Sequence, residues 1–370
     1  MKHKLFYICL LIGIVAFQAC NTKSKKEMEI DESPVGKYHW KTYRGVNVNC
    51  TIQEEDIKYL AESGGNLVRL SMPICTFIEL KEPYTLNESA FIKLDSVLNW
   101  GEKYGVNVLI DPHKYPGTEH QWTMLGSDPF WKDFKWHNVI IYFWEKLAER
   151  YAQRGSVVAG YDLLNEPQIP LDMEKGTPED VNLLYKKLTD AIRRVDTLHT
   201  IVYALPRIYD EPNKKMYGYH KGIQKFDLPS DDNICLETHT YMPKAFSHQN
   251  IWEEGDYVPY PVTLEGVVWD KGKLEEEQFE LIQFSIDNPD IPILVGEFSS
   301  PRWTGQDGIR YLSDIIDIAE EQNWSWAYHA YRENQVWDPE MSITNRADSV
   351  RIENAPRWEL LKNYFSRNHK

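Results

Sequence analysis

Two glutamates in this sequence follow apolar runs of the kind that form buried strands. The stretch YDLLNEPQ (161–168) begins as a strand and then gives an amide, the carboxylate of Glu166 and a proline. LVGEFSS (294–300) carries Glu297 in a similar position. Two carboxylates about 5 to 5.5 Å apart can cleave a glycosidic bond, because one attacks the anomeric carbon while the other protonates the leaving oxygen. Glu166 and Glu297 are candidates for such a pair.

Other apolar runs also end in polar side chains that could bind or orient a substrate. They are Arg69, Asp111, His113, Asn165, His239, Tyr241 and His329. Each residue alone also fits a structural role, such as a salt bridge between Arg69 and Glu297 or a hydrogen-bonded core histidine. Many of the predicted strands carry polar residues at the same end, and this pattern favours a functional site.

These side chains require a scaffold that brings the strand ends together. Short β-branched runs alternate with helical patterns, which is typical of a parallel sheet with helical crossovers. Strands are expected at 44–49, 66–72, 106–113, 157–167, 200–205, 233–241, 291–300 and 324–331. Helices are expected near 52–63, at 87–105, 128–153 and 177–196, and near 307–322. This order predicts an α/β fold, a single (β/α)8 barrel with its active site at the carboxyl ends of the strands.

Two details of this scaffold can be predicted. Thr177 and Pro178 are expected to cap and begin the fourth of these helices. The segments 206–232 and 242–270 are expected to form long loops over one face of the barrel, and the first shows no clean helical pattern. Loops of this length are more often functional than idle.

The N-terminus has the pattern of an export signal. Residues 1–19 combine a basic start with a short apolar run and a small residue before Cys20, and the run is too short to span a membrane. The pattern resembles the lipobox of bacterial lipoproteins, which implies that Cys20 is lipidated, with the outer membrane of a Gram-negative cell as the expected location. A retained amphipathic anchor is the alternative. Residues 20–36 are interpreted as a flexible tether and 37–370 as one catalytic domain.

Composition limits the partners. The formal net charge of −15 disfavours nucleic acid and anionic membranes and favours a neutral substrate. Beyond the predicted leader, Cys50, Cys75 and Cys235 show no zinc-ligand spacing, so we expect free thiols, no metal site and no cofactor. One disulfide with a spare thiol is the alternative. Contact with a membrane is expected only through the N-terminal lipid, and the protein is expected to be a monomer.

The motifs at the strand ends resemble those of glycoside hydrolase family five, the cellulase family within the clan of barrel glycosidases. YDLLNEPQ resembles the Asn-Glu-Pro signature of the fourth strand. LVRLSMP, LIDPHKY, ETHTYMP and LVGEFSS are similar, in order and spacing, to the other strand-end motifs of the family. The resemblance covers about residues 40 to 335.

The resemblance implies a retaining mechanism with Glu166 as general acid/base and Glu297 as nucleophile. It also implies substrate-binding or orienting roles for Arg69, His113, Asn165, His239 and Tyr241. Asn165 would bind the sugar 2-hydroxyl, Arg69 would keep Glu297 ionised, and Tyr241 would position Glu297. His113 would contact the sugar, and His239 would lie near Glu166.

One position departs from the family pattern. The family places a tryptophan at the end of strand eight as a platform under the sugar, whereas this sequence has His329 there. Trp303, Trp326 and Trp337 are the candidates to replace it.

The expected partner is a β-linked oligosaccharide or polysaccharide. The family favours an endo-β-1,4-glucanase, with a β-mannanase or another β-glycosidase as the alternative. A non-catalytic, sugar-binding surface lipoprotein is an alternative of a different class. An aldolase would need a lysine at a strand end, and the neighbours of Lys114, the nearest candidate, do not indicate a desolvated pocket.

Overall fold

Eight parallel strands form a closed barrel in which each strand pairs with the next along the chain. A computed structural model of the protein describes residues 36–79, 82–118, 127–210, 212–343, 347 and 349–369. The barrel strands are, in order, Arg44–Asn49, Leu67–Ser71, Asn107–Asp111, Val158–Asp162, Thr200–Ala204, Ile234–His239, Ile293–Glu297 and Ser325–Tyr328. The first strand pairs with the eighth through Gly45 and Ala327, which closes the barrel. The predicted (β/α)8 fold is confirmed.

The first strand has the expected limits, whereas the other seven are shorter than the sequence pattern suggested, and most of the difference lies at their carboxyl ends. The fourth strand ends at Asp162, and Gln168–Pro170 forms a separate short strand outside the barrel. His113, Tyr241 and His329 therefore follow their strands instead of ending them. Apolar side chains continue beyond the paired backbone because the barrel mouth also has a core, so hydrophobicity alone overestimates strand length.

The barrel interior changes from apolar to charged along the strand direction. Leu67, Leu109 and Cys235 belong to one buried apolar cluster. Side chains two residues apart on a strand point to the same face. Arg69, Asp111 and Glu237 each follow one of those apolar residues by two positions, and all three are buried. This charged layer lies directly under the strand ends.

The helices, in chain order α1 to α9, surround or follow the barrel. They are Glu54–Glu62, Glu88–Tyr104, Phe134–Tyr151, Val181–Arg193, Lys244–Ser247, Lys271–Glu277, Phe279–Asp287, Gly305–Glu321 and Pro356–Phe365. Helix α2 has the predicted limits: the Asn87 side chain accepts from the Ser89 amide, and Gly105 ends the helix with a left-handed φ of 75°.

The predicted starts of α3 and α4 were wrong. Helix α3 begins after Asp133, whose side chain accepts from the Lys135 amide, and a separate 3-10 turn precedes it at Pro129–Trp131. Helix α4 begins after Asp180, whose side chain accepts from the Leu183 amide at 3.1 Å. Thr177 and Pro178 are thus in the turn before α4. In both helices an aspartate carboxylate caps the free backbone amides where the sequence pattern suggested a start several residues earlier.

The two long connections lie where they were expected. The first has no α-helix in its described part; it carries short strands at Arg207–Asp210 and Lys215–Met216 and a 3-10 helix at Tyr219–Lys225. The second contains α5 and a hairpin of Val262–Leu264 with Val267–Trp269. Arg207–Asp210 pairs with Gln168–Pro170, so the first connection is attached to the segment that follows Glu166.

The predicted leader, the lipidation site at Cys20 and nearly all of the predicted tether lie outside the described residues. Within the described ranges, no helix has both the length and the apolar composition needed to cross a membrane. Cys50, Cys75 and Cys235 are free thiols, as expected.

Candidate active site

Glu166 and Glu297 meet at the mouth of the barrel although they come from strands four and seven. A carboxylate oxygen of one lies within 4.8 Å of a carboxylate oxygen of the other. Only 11% of the Glu166 side chain and 8% of the Glu297 side chain are exposed. The two carboxylates are therefore close enough to act on one bond, and they are nearly desolvated before a ligand arrives.

The backbone at Glu166 adopts a conformation that non-glycine residues rarely use. Its φ is 47°, in the left-handed region. An L-residue there is strained by about 1 to 2 kcal/mol, and such strain often occurs at functional sites. Glu297, by contrast, is the last residue of a regular strand. The turn at Glu166 directs its carboxylate toward that strand.

Two hydrogen bonds orient the Glu297 carboxylate, and two histidines lie close to it. Arg69 donates from Nη1 to Oε1 at 3.0 Å, and the Tyr241 hydroxyl donates to Oε2 at 2.9 Å. Nδ1 of His329 lies 3.9 Å from Oε2. Burial raises the pKa of Glu297, but the basic side chains around it, His239 foremost, outweigh burial and hold that pKa well below its usual range. Glu297 is thus an ionised carboxylate. Arg69 and Tyr241 contact it, where both were expected.

Glu166 shares a hydrogen bond with His239. Nδ1 of His239 lies 2.9 Å from Oε1 of Glu166, and its Nε2 lies 3.3 Å from Oε1 of Glu237. Burial disfavours the imidazolium, but the surrounding carboxylates, Glu297 foremost, raise the pKa of His239 to about 10. Burial likewise raises the pKa of Glu166, but the hydrogen bond and the charge of His239 lower it below its ordinary value. At neutral pH the pair is therefore an imidazolium hydrogen-bonded to a carboxylate.

Asn165 and His113 form the wall next to Arg69. The Asn165 side-chain oxygen accepts from Nη2 of Arg69 at 2.9 Å, and its nitrogen lies 3.2 Å from Nε2 of His113. Nδ1 of His113 in turn lies 2.7 Å from the Asp111 carboxylate. These contacts fix the orientation of both side chains beside the two glutamates, where they were expected.

The charged layer beneath the site includes Asp162 and Glu237, which the sequence analysis did not identify. Arg69 forms ion pairs with Asp111 at 2.9 Å, Asp162 at 2.8 Å and Glu237 at 2.9 Å. Burial and the charge of Glu237 raise the pKa of Asp162 well above its usual range, so this layer is not fully ionised. Glu237 precedes His239 by two residues on a strand, and that spacing was the available signal.

A glycine makes room for Glu237. A Cβ placed on Gly296 would lie 1.7 Å from Oε1 of Glu237, which no side chain can tolerate. The glycine of LVGEFSS therefore allows the carboxylate under the site to approach the seventh strand, immediately before Glu297.

The histidine at the end of strand eight lies where the sugar platform was expected. The His329 ring packs against Trp337, with 5.9 Å between ring centroids. Trp326 is fully buried and its indole N–H donates to Glu320 on α8, so the suggestion that it serves as a platform was wrong. The Trp303 indole N–H donates to the Gln249 carbonyl, which places it against the loop after strand six. Trp337 is the aromatic residue that accompanies His329.

More aromatic rings continue from Tyr241 along the mouth. His248 packs against Tyr241 at 5.1 Å and against Trp337 at 5.8 Å, and it stacks on Trp252 at 5.9 Å. The Trp252 side chain projects into solvent, with 79% of the residue exposed. Flat apolar faces of this kind can pack against sugar rings.

One group of side chains could also hold a metal ion. Ligand atoms of Glu166, His239 and Glu297 lie within 4.8 Å of one another. The same three residues form the hydrogen-bonded carboxylate and imidazole arrangement described above, which accounts for their proximity without a metal.

The chain matches a known family over most of its length. The model of the family described as cellulase (glycosyl hydrolase family 5) matches residues 28–335. Endoglucanase 3 of Fibrobacter succinogenes is 24% identical over 326 residues, covering 76% of this chain and 46% of that protein. Endoglucanase C of Acetivibrio thermocellus is 29% identical over 224 residues, covering 58% of this chain and 60% of that protein. The matched part thus spans about half the length of these relatives.

Solved structures share the fold. Endoglucanase Cel5A of Thermotoga maritima is 22% identical, with a TM-score of 0.66 and coverage of 86% of this chain and 96% of that one. The same enzyme has been solved in complex with cellobiose and with mannotriose. The family match over residues 28–335 is the finding that assigns the chain: it belongs to glycosyl hydrolase family 5, the cellulase family.

Proposed function

We propose that the protein is a retaining glycoside hydrolase that cleaves β-linked glucan, and specifically an endo-β-1,4-glucanase. The observation that carries the proposal is the closeness of the Glu166 and Glu297 carboxylates: an oxygen of one lies within 4.8 Å of an oxygen of the other at the carboxyl end of a barrel. Inverting enzymes need about 6.5 to 9.5 Å to place a water between the two groups. The shorter separation favours direct attack by one carboxylate.

In the proposed first step, an oxygen of Glu297 attacks the anomeric carbon and the bond to the leaving oxygen breaks. Glu166 gives a proton to that oxygen, so the leaving sugar departs as an alcohol and a glycosyl ester of Glu297 remains. In the second step, Glu166 takes a proton from water, the water oxygen attacks the anomeric carbon, and Glu297 is released as a carboxylate. The low pKa of Glu297 supports its assignment as the nucleophile.

The His239 hydrogen bond supports the dual role of Glu166. A general acid must be protonated in the first step and ionised in the second. His239 lies 2.9 Å from Glu166 and is protonated at neutral pH, so we propose that it supplies the proton that Glu166 gives to the leaving oxygen and takes a proton back after the second step. We further propose that Asn165, His113 and His329 hold the hydroxyls of the sugar at the cleavage point.

The stereochemistry of the product tests this mechanism. Proton NMR during hydrolysis of a soluble β-glucan should first show the β-anomer at the new reducing end. Glu297→Gln should lower turnover by more than about a thousandfold, because it removes the nucleophile, while the protein stays folded. An initial α-anomer, or full activity in Glu297→Gln, would rule the mechanism out.

A β-mannanase is the second candidate for the substrate. The observation that favours it is that a protein of the same fold, Cel5A of Thermotoga maritima, has been solved with mannotriose as well as with cellobiose. The histidine in place of the usual platform also changes the surface under the sugar. Parallel assays on β-1,4-glucan and β-1,4-mannan oligosaccharides separate the two by their kcat/KM values.

The third candidate, a non-catalytic sugar-binding protein, makes a different prediction. It would bind oligosaccharides from both assays and leave them intact. The hydrogen-bonded arrangement of both glutamates with Arg69, His239 and Tyr241 supports the enzyme instead.

We also propose that the protein is exported, lipidated at Cys20 and held at the cell envelope as a monomer, with no other contact to the membrane. The support is the sequence pattern of residues 1–19 followed by Cys20. Cys20→Ala should move the protein from the membrane fraction to the soluble fraction. A wild-type protein that is soluble in the host cell would refute the anchor.

A further inference from the structure

Arg207 is unusual among the arginines of this protein. In the described ranges it is the arginine whose guanidinium forms neither a hydrogen bond nor an ion pair, and it lies over the Tyr219 ring at 5.4 Å. The chain has 56 acidic and 41 basic residues, so acidic partners are in excess. The charge of Arg207 acts on Glu166, but its half-buried guanidinium donates no hydrogen bond to a described residue, so its donors are available to a ligand.

Arg207 lies beside Glu166. Its backbone amide donates to the Pro167 carbonyl at 2.8 Å. The Tyr219 ring under its guanidinium packs against the His239 ring at 5.2 Å, and His239 is hydrogen-bonded to Glu166. The residue that protonates the leaving oxygen is necessarily next to the leaving sugar. Arg207 is therefore placed to meet that sugar.

A second cation stands in the same place. Lys244 is the first residue of α5, three positions after Tyr241; its side chain reaches solvent, and its ammonium forms no hydrogen bond or ion pair with a described residue. Burial lowers the pKa of Lys244 and the charge of Arg207 lowers it further, whereas Glu166 opposes both. Two like charges near one carboxylate repel each other, and a bound anion would relieve that repulsion.

We propose that Arg207 and Lys244 bind a carboxylate on the leaving-group side of the cleaved bond, so that the substrate is a β-glycan containing uronic acid units. This inference rests on the proposed function and specifies its substrate class. A guanidinium presents paired donors that match the two oxygens of a carboxylate, and charge-assisted hydrogen bonds of this kind are among the strongest in proteins.

The net charge of −15 favoured a neutral substrate, but charges close to the cleft affect a bound ligand more than the net charge of the whole chain does. Exposed charges farther away than about 8 Å are largely screened at physiological ionic strength. A carboxylate in the cleft therefore responds to the nearby charges, in which Arg207, Lys244 and the imidazolium of His239 face the carboxylates of Glu166 and Glu297.

Two soluble polymers with the same β-1,4-glucan backbone test the proposal. Hydroxyethylcellulose is neutral, and cellulose oxidised at C6 carries glucuronate units. The measured quantity is the ratio of kcat/KM on the oxidised polymer to kcat/KM on the neutral one. For wild type this ratio should exceed one. Arg207→Met and Lys244→Met should each lower it about tenfold or more, since a hydrogen bond to a charged group contributes about 1.5 to 3 kcal/mol.

Lys58→Met is the control, because Lys58 is an exposed lysine on α1 that pairs with Glu62. It should leave the ratio unchanged. If Arg207 only packs on Tyr219, its substitution will lower the melting temperature without altering the ratio, and the proposal is overturned. A wild-type ratio below one would also overturn it. So would a higher kcat/KM on sulfated cellulose than on the oxidised polymer, because the site would then not be built for a carboxylate.

Affinity electrophoresis in gels that contain either polymer separates this proposal from the proposed function. If wild type hydrolyses neither polymer, the glucanase assignment fails, but retardation by the oxidised polymer that disappears in Arg207→Met still supports the anion site. Equal retardation of wild type and both variants overturns the site even if hydrolysis is found.

Discussion

At the scale of single residues, the site depends on how each glutamate is surrounded. Glu297 receives hydrogen bonds from Arg69 and Tyr241, and Glu166 is bonded to His239. The pKa of both carboxyls is lowered, and that of Glu297 is lowered much further because more basic side chains lie around it. Two identical side chains thus receive different chemistry from their neighbours.

Removal of the hydroxyl that orients Glu297 should affect catalysis more than stability. Tyr241→Phe deletes the 2.9 Å hydrogen bond to Oε2. We expect kcat/KM to fall by roughly 10- to 100-fold, because hydrogen bonds to charged groups contribute about 1.5 to 3 kcal/mol. The control is Tyr257→Phe, because Tyr257 is an exposed loop residue whose hydroxyl donates to Asp307 in the first turn of α8. Equal kcat/KM values for wild type and Tyr241→Phe would contradict the positioning role.

The raised pKa of His239 predicts how stability depends on pH. Its value of about 10 in the folded protein exceeds the ordinary 6.5, so its stabilising contribution is complete below pH 6.5 and is lost as the pH rises toward 10. The difference in melting temperature between wild type and His239→Asn should therefore shrink from pH 6 to pH 10. The melting temperatures of both proteins across that range provide the test. A difference that does not change with pH would show that the histidine is neutral in the folded state.

At the scale of elements, the candidate catalytic side chains lie at or just after the ends of strands. Glu297 ends a strand, and Glu166 lies in a left-handed turn after another. The helix starts were harder to predict, since an aspartate inside the predicted helix became the actual cap in both α3 and α4. A carboxylate accepts hydrogen bonds from free amides wherever the turn geometry allows, and that geometry is set by neighbouring segments.

The start of α4 can be tested by comparing two alanine substitutions. Asp180→Ala removes a side chain that accepts from the amides of Leu183 at 3.1 Å and Gly176 at 2.8 Å. Loss of such a cap should lower the free energy of unfolding by about 1 kcal/mol. Thr177→Ala should cost less, because Thr177 lies in the turn before the helix. Urea unfolding of both variants measures these losses. A larger loss of unfolding free energy for Thr177→Ala would indicate that the helix begins at Thr177.

At the scale of the whole molecule, Arg69 connects the fold to the site. From strand two it forms ion pairs with Asp111, Asp162, Glu237 and Glu297, which belong to strands three, four, six and seven. The arginine is fully buried. One guanidinium therefore fixes the relative positions of five strands at the end of the barrel where the two glutamates meet.

Loss of Arg69 should weaken the entire barrel. Arg69→Met leaves several buried carboxylates without their cation, and breaking a buried ion pair in this way costs about 3 to 5 kcal/mol. We expect a loss of that size in the free energy of unfolding, measured by urea denaturation. In Arg367→Met, which removes a more exposed partner of Glu320, the loss should be about 0 to 1 kcal/mol. Equal losses in the two variants would contradict the central role of Arg69.

The sequence by itself determined the barrel, the order of its strands and the glutamates at two strand ends. Alternating apolar runs and helical patterns are local properties, and polar residues that end such runs can be identified without a fold. Only the tertiary structure decided that oxygens of the two carboxylates lie within 4.8 Å, that Glu237 and Asp162 lie beneath them, and that Arg207 makes no side-chain hydrogen bond to any residue that the structure describes. These facts depend on distances between segments that are far apart in the chain, and such distances are set by how the barrel closes and packs.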